Sequence, residues 1–292
     1  MPTPLIRDVS DTAFMVAAQR AIESNRKDAL FHDPLAGLLA GQRGRDIVAS
    51  STHQKHFGYW FVVLRTVIID DFIQSAIAQG TDTILNLGAG LDTRPYRLDL
   101  PKSLQWVEVD YPHVIEYKQS RLADQHPHPT LQRFSLDLAD IWARRALFAD
   151  INNKAKKVLV LTEGVVPYLT TEQAASLADD LRSKPHFTNW IVDYFAPQTL
   201  SYRRSRHMRH LMENAPFLFE PTDYFEFFAE HGWKQKEIRY TADEATRRHR
   251  PITAPLWLKL LWVTRALFAS PARRQAFRKL TAYVLFEPTS RQ

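Results

Sequence analysis

Three short stretches carry residue types able to hold a small molecule, and each stands where a strand would end. The first is Thr83-Ile-Leu-Asn-Leu-Gly-Ala-Gly90, an apolar run entering Gly-x-Gly. Glycines there let the backbone turn sharply and approach a ligand where a Cβ would collide; an ordinary turn after a strand can look the same. The second is Trp106-Val-Glu-Val-Asp110, closing in a carboxylate 20 residues after Gly90, where nucleoside-binding folds place an acid for ribose hydroxyls. Alone, Asp110 also reads as a helix N-cap ahead of Pro112; the pairing with Gly-x-Gly is more specific than either member. The third, Ser135-Leu-Asp-Leu138, sets Asp137 at the same edge, where a short polar side chain and its backbone can hydrogen-bond an adenine ring.

Leu91-Asp-Thr-Arg94 follows the glycines, so the third glycine of a dinucleotide fingerprint is missing and no helix start is offered to a pyrophosphate. The expected ligand is a nucleoside without phosphates. A nicotinamide-dependent, NAD(P)-using oxidoreductase on a similar sheet is the rival reading.

The elements that must position these residues follow from the apolar pattern. Residues 10 to 79 read as helical, with one helix over Thr12 to Glu23, a break at Asp33-Pro34 and a long helix from about Tyr59 to Gln79. From Asp82 strand-length apolar runs alternate with longer segments: Thr83–Asn86, Gln105–Val109, Thr130–Phe134, Lys157–Thr162 and Asn189–Asp193. That alternation describes parallel βαβ units and a doubly wound, mostly parallel α/β sheet. Tyr224 to Trp233 reads as a helix stopped by Gly232, and Lys234–Arg239 with Tyr283–Phe286 as a late antiparallel pair. The 292 residues are read as one elaborated domain: an N-terminal helical cap over 1–80, then a core over 81–292 with insertions at about 196–230 and 241–280.

Apolar residues at 45% and charged residues at 24% are ordinary for a globular chain. Zero cysteines exclude a disulfide framework, a thiol nucleophile and a thiolate metal site. The 11 histidines have no zinc-type spacing and no Gly-x-Ser-x-Gly elbow occurs, so neither a metal nor a serine hydrolase is expected. The N-terminus has no secretory pattern, which makes cytoplasmic residence the default expectation. Lys259 and Arg265 interrupt the most apolar run, so no transmembrane helix is expected. The net charge of +6 is spread over several segments. The basic stretch Arg203 to His210 reads as the solvated face of a helix rather than a nucleic-acid site, with an acidic substrate as the competing idea. Leu256 to Phe268 reads as a helix covering the protein's own core, with a membrane surface or a partner subunit as alternatives.

Three motifs together, Asn86-Leu-Gly-Ala-Gly-Leu-Asp-Thr-Arg94, Glu108-Val-Asp-Tyr-Pro112 and Thr162-Glu-Gly-Val-Val-Pro-Tyr-Leu169, resemble those of the leucine carboxyl methyltransferase family, in its bacterial branch of S-adenosylmethionine-dependent O-methyltransferases. Ala18-Gln-Arg-Ala21, Asp33-Pro34-Leu-Ala36 and Arg65 with Asp70-Asp71 resemble its N-terminal signatures, and Gly232-Trp233 its entry to a late strand. The resemblance spans roughly residues 12 to 240 and implies a class I methyltransferase fold with S-adenosylmethionine as cofactor. It further implies that Gly88, with Ala89 and Gly90, lies against the cofactor, that Asp110 takes the ribose hydroxyls and that Asp137 and Leu138 flank the adenine. Arg65 would hold the cofactor's carboxylate, Glu163 would sit near its methionine part, and Arg20 matches a basic N-terminal position.

Methyl transfer from a sulfonium is an in-line displacement, so the enzyme chiefly positions its reactants. A carboxylate acceptor needs no general base, whereas a phenol or alcohol does, supplied by a His, Asp or Tyr near Tyr168 or Tyr194, the two candidate pocket residues. The expected acceptor is a carboxylate or hydroxyl on a small molecule or peptide; a non-catalytic cofactor-binding protein is the third reading. Gly88→Val is expected to block the ligand while leaving most of the fold intact.

Overall fold

The computed structural model describes residues 8–50, 54–200, 204, 213–252 and 270–290. Seven strands form its sheet: β1 (Thr83–Leu87), β2 (Gln105–Asp110), β3 (Thr130–Ser135), β4 (Val158–Thr162), β5 (Phe187–Phe195), β6 (Trp233–Tyr240) and β7 (Thr281–Pro288). Their order is β3-β2-β1-β4-β5-β7-β6. The first five are parallel, and β7 runs antiparallel to both β5 and β6. The order reverses between β1 and β4, and the crevice beyond the carboxyl ends of such strands is where open α/β sheets bind ligands.

Central parallel strands are covered on both faces, so they read as unbroken apolar runs whose side chains still alternate. In β4, Val158 and Val160 enter one core with Leu85, Leu87 and Trp190, while Leu159 and Leu161 enter the other with Ile84, Trp106 and Ile191. The N-terminal helices are α1 (Ser10–Ser24), α2 (Ala36–Ala49) and α3 (Tyr59–Ala78). Ile68, Ile69, Phe72 and Ile73 of α3 fill the second core, and α3 is also tied outward: Asp71 accepts from Arg239 of β6 at 3.0 Å and from Arg248 at 2.6 Å. The crossovers are α4 (Arg94–Arg97), α5 (Pro112–Arg121), α6 (Ile141–Lys154) and α7 (Thr171–Arg182), the last opened by a reciprocal Thr170–Gln173 cap. Among the described residues three short helices follow, α8 (Tyr224–Glu230), α9 (Thr241–Arg247) and α10 (Pro271–Arg278).

The expected strands are all present, with one correction late in the chain. Trp233 belongs to β6 rather than to the preceding helix: the chain turns at Gly232, with φ of 78°, and the Trp233 indole is buried with its N–H on the Ala178 carbonyl at 3.1 Å. The last two strands form the expected antiparallel pair, and β7 lies between β5 and β6. Among the described residues no helix is long and apolar enough to cross a membrane. Residues 256–268, and the basic stretch from 203 to 210 apart from Arg204, lie outside the described residues.

One buried ion pair fastens α5 to the sheet. Lys118 Nζ lies 2.8 Å from Glu108 Oε1, both side chains fully inaccessible, and Arg133 Nε takes the other oxygen at 2.8 Å. Lys118→Met leaves a buried carboxylate with half its partners, and breaking a buried pair from one side is expensive. Urea denaturation of this variant is expected to show a loss on the order of 3 kcal/mol with an unchanged slope.

Candidate active site

The turn after β1 is stitched to the end of β2. Gly88 and Ala89 both donate their N–H to the Val109 carbonyl, at 2.8 and 3.1 Å. The Gly90 N–H donates to Asp110 Oδ2 at 2.6 Å and the Tyr111 N–H to Oδ1 at 2.7 Å. Each carboxylate oxygen therefore keeps a lone pair for a further donor. Burial pushes the Asp110 carboxyl above its ordinary range.

Gly88 has φ of 65°, a conformation costly for any residue with a Cβ. A Cβ there would also stand 2.4 Å from Val165 Cγ2. This corrects one expectation: the glycine is required by the protein's own loops, so a side chain at Gly88 disturbs the fold as well as a ligand.

A cavity of about 1420 Å³ opens over the carboxyl ends of the parallel strands. Gly88, Ala89, Gly90, Asp110, Asp137, Leu138, Glu163, Arg65, Arg20 and Tyr168 all line it. Asp137 is exposed at its rim, where Oδ1 accepts the Ala139 N–H at 2.9 Å. The Leu138 carbonyl is held by Arg144 at 2.7 Å. Tyr168 sits in a 3₁₀ turn with its ring stacked on Phe217, centroids 5.2 Å apart. Tyr194 is a correction, for it does not line the cavity. Successive strand residues point to opposite faces, so Asp193 and Phe195 face the cavity while Tyr194 packs against Tyr224, Phe225 and Tyr240.

Beneath the turn lies a buried chain of alternating charges. Arg20 Nε pairs with Asp33 at 2.8 Å and its Nη2 donates to the Leu91 carbonyl at 2.6 Å. Thr93 donates to the same Asp33 oxygen, which lies 3.9 Å from Arg97 Nε. Arg97 makes two bonds of 2.8 Å to Asp70. Arg94 donates to Asp70 at 2.7 Å, to Asp92 at 2.9 Å and to Glu163 at 2.7 Å. Arg65 Nε closes the chain 2.8 Å from the other Glu163 oxygen. Neighbouring guanidinium groups hold the Asp33 and Glu163 carboxyls below their ordinary range despite burial.

Two residues not singled out in the sequence belong to the site. Arg94 is the hub just described. Asp193 is 4% exposed at the end of β5, its Oδ2 accepting the Gly164 N–H at 2.8 Å. Burial pushes its carboxyl up to about 6, against the pull of Arg65. The signal was present in outline, since Asp193 closes its strand candidate as Asp110 closes another. Among the described residues there is no cluster of side chains able to hold a metal ion.

The sequence profile of the leucine carboxyl methyltransferases matches residues 13–182. A Mycobacterium marinum protein assigned to the S-adenosyl-L-methionine-dependent methyltransferases is 31% identical over 251 residues, covering 82% of each chain. One from Frankia alni, with the same assignment, is 29% identical and covers 87% of this chain and 93% of its own. Among solved structures, a protein from Thermobifida fusca assigned as a methyltransferase superposes with a TM-score of 0.57 at 15% identity, over 95% of this chain and 94% of that one. A DUF574 family protein from Streptomyces avermitilis gives 0.54 at 15% identity, over 95% and 97%. The fold is that of the class I methyltransferases.

Two outcomes test the site's internal chemistry. Gly88→Ala is expected to cost about 2–4 kcal/mol in chemical denaturation, from the left-handed backbone and the contact with Val165, and Val165→Ala in the same chain should restore part of it. For Asp193 the folded-state pKa lies above the unfolded one, so the fold favours the protonated acid: its stabilising contribution is complete below about pH 4 and is lost as pH rises through 6. Asp193→Asn should therefore gain stability relative to the parent between pH 4 and pH 7.5, by about 3 kcal/mol, while an unchanged difference across that window would refute the raised pKa.

Proposed function

Since this chain belongs to the leucine carboxyl methyltransferase family, we propose that it transfers a methyl group from S-adenosylmethionine to an oxygen of a small-molecule or peptide acceptor. The observation that carries this reading is the hydrogen-bonded union of the Gly-x-Gly turn with Asp110 on the floor of a cavity of about 1420 Å³. Pockets for one drug-sized ligand run to about 300–1,000 Å³. There is room for a nucleoside cofactor and a second molecule beside it.

The residues fit that cofactor. Gly88, Ala89 and Gly90 present backbone with no side chain in the way, and Asp110 keeps lone pairs for two vicinal hydroxyls. Asp137 and Leu138 stand further along the same edge for the adenine ring. Arg65, a buried cation lining the cavity near β4, takes the amino-acid carboxylate, and Glu163 beside it faces the ammonium end. Arg20 is engaged by Asp33 and the Leu91 carbonyl, so its part is to hold the turn. When bound, the sulfonium supplies an activated methyl group; the protein's contribution is to orient the two reactants in a mostly apolar space.

The oxidoreductase alternative loses ground at Asp92. Its carboxylate accepts the Arg94 N–H at 2.9 Å, beside the first turn of α4, where a dinucleotide would need room for its own negative charge. S-adenosylmethionine has no phosphate to place there.

Calorimetric titration with S-adenosylmethionine, S-adenosylhomocysteine and NAD tests the proposal. Binding of the first two and not the third is expected, and Asp110→Ala should weaken both by about 10- to 100-fold. Binding of NAD alone would overturn the reading.

A further inference from the structure

The second molecule's end of the cavity has its own chemistry. With the nucleoside on Asp110 and Asp137, beyond β2 and β3, the reactive end of the cofactor points across β1 towards β4 and β5. The acceptor then lies over β5. There the wall is aromatic: Phe57, Trp60, Phe61, Tyr168, Phe195 and Phe217 line the cavity, with Phe61 against Phe195 at 6.0 Å and Phe195 against Phe217 at 6.3 Å. In this apolar wall Asp193 presents a buried carboxylate. Its Oδ2 accepts the Gly164 N–H at 2.8 Å, and its own main-chain N–H is the other backbone donor acting on the carboxylate.

We propose that the acceptor is a bulky apolar molecule methylated on a hydroxyl group, and that Asp193 Oδ1 accepts that hydroxyl's proton. The inference rests on the cofactor reading above and names the acceptor's class. As the acceptor oxygen bonds to the methyl carbon, the carbon–sulfur bond breaks with its electron pair left on sulfur, and the hydroxyl proton passes to Asp193. A sulfonium, an alcohol or phenol and the Asp193 carboxylate become a thioether, a methyl ether and a protonated carboxyl, so charge and atoms balance.

A carboxylate acceptor is disfavoured by the same groups. Arg65 is committed to Glu163 and to the cofactor's own carboxylate, and Asp193 and Glu163 would both repel a further anion. A neutral hydroxyl instead donates to a carboxylate whose lone pairs outnumber its two backbone donors, and an acid titrating near 6 is ionised at neutral pH yet basic enough to take a proton. The groups facing Asp193 are Arg65 from α3, Glu163 and the Gly164 N–H after β4, the Tyr224 hydroxyl from α8 on the Asp193 carbonyl at 2.9 Å, and Tyr283 from β7. His56 lines the cavity from the segment before α3 and is the rival base.

The experiment is fluorescence titration of the full chain, saturated with S-adenosylhomocysteine, with 1-hydroxypyrene and with pyrene-1-carboxylate. The hydroxyl compound is expected to bind and the carboxylate to bind at least about tenfold more weakly. Affinity for 1-hydroxypyrene should fall as pH drops through 6. Asp193→Asn, which keeps the side chain's shape and can still accept from Gly164, should bind it about tenfold more weakly with no such pH step; His56→Gln should keep both affinity and step. Equal or tighter binding of the carboxylate, binding of neither probe, an unaltered Asp193→Asn, or a pH step abolished by His56→Gln instead would overturn the inference. So would loss of S-adenosylhomocysteine binding in Asp193→Asn, which would put that side chain on the cofactor. If the parent chain fails to bind S-adenosylhomocysteine at all, the cofactor reading falls and takes this inference with it.

Discussion

Arg94 is 2% exposed and its guanidinium meets carboxylates from three parts of the chain: Asp70 of α3, Asp92 of the turn after β1 and Glu163 after β4. A buried guanidinium cannot shed its charge, so its partner acids must be in place for the cation to be tolerated. The arginines in turn hold the Asp92 and Glu163 carboxyls below their ordinary range. Arg97 extends the chain to Asp33 and Arg65 extends it along Glu163. The cavity floor is thus a set of mutual conditions, in which the helical cap, the glycine turn and the end of β4 take their positions together or not at all.

Such networks add little net stability, because desolvating the ions offsets most of their attraction. Their effect here is geometric. Apolar contacts between α3 and the sheet would tolerate small sliding, whereas several charge-assisted bonds of 2.7–2.9 Å to one guanidinium fix the direction of approach. The turn carrying Gly88 and Gly90 is pinned from below by this chain and from the side by Asp110 and the Val109 carbonyl. Its main chain is rigid before any ligand arrives.

The fold was legible where a local rule applies. Strand-length apolar runs gave the five parallel strands, and Gly-x-Gly followed by a strand ending in Asp110 gave the turn, since both depend on backbone constraints written within a few residues. The N-terminal signatures Arg20, Asp33, Arg65 and Asp70 could be noticed but not joined to the rest of the site, because Thr93, Glu163 and Arg94, their partners there, lie far along the chain. Asp193 escaped for a related reason: a strand's last residues alternate in direction, and without the sheet's register nothing distinguished it from Tyr194 next door. The place of β7 between β5 and β6 is likewise a matter of pairing partners, which no periodicity records.

That insertion has a consequence for the order in which the protein can be made. While β7 is still unmade, β5 presents an open edge carrying Trp190, Ile191 and Val192, the residues it will pair with Phe286, Leu285 and Val284. An apolar edge of this kind is a template for pairing with another chain. A nascent chain emerging from the ribosome therefore holds a nearly finished cofactor half beside an unprotected wall while residues 196 to 280 are being made. Only when β7 is threaded between its two neighbours do Asp193 and Tyr283 come side by side, so the half of the cavity assigned to the acceptor is completed after the cofactor half.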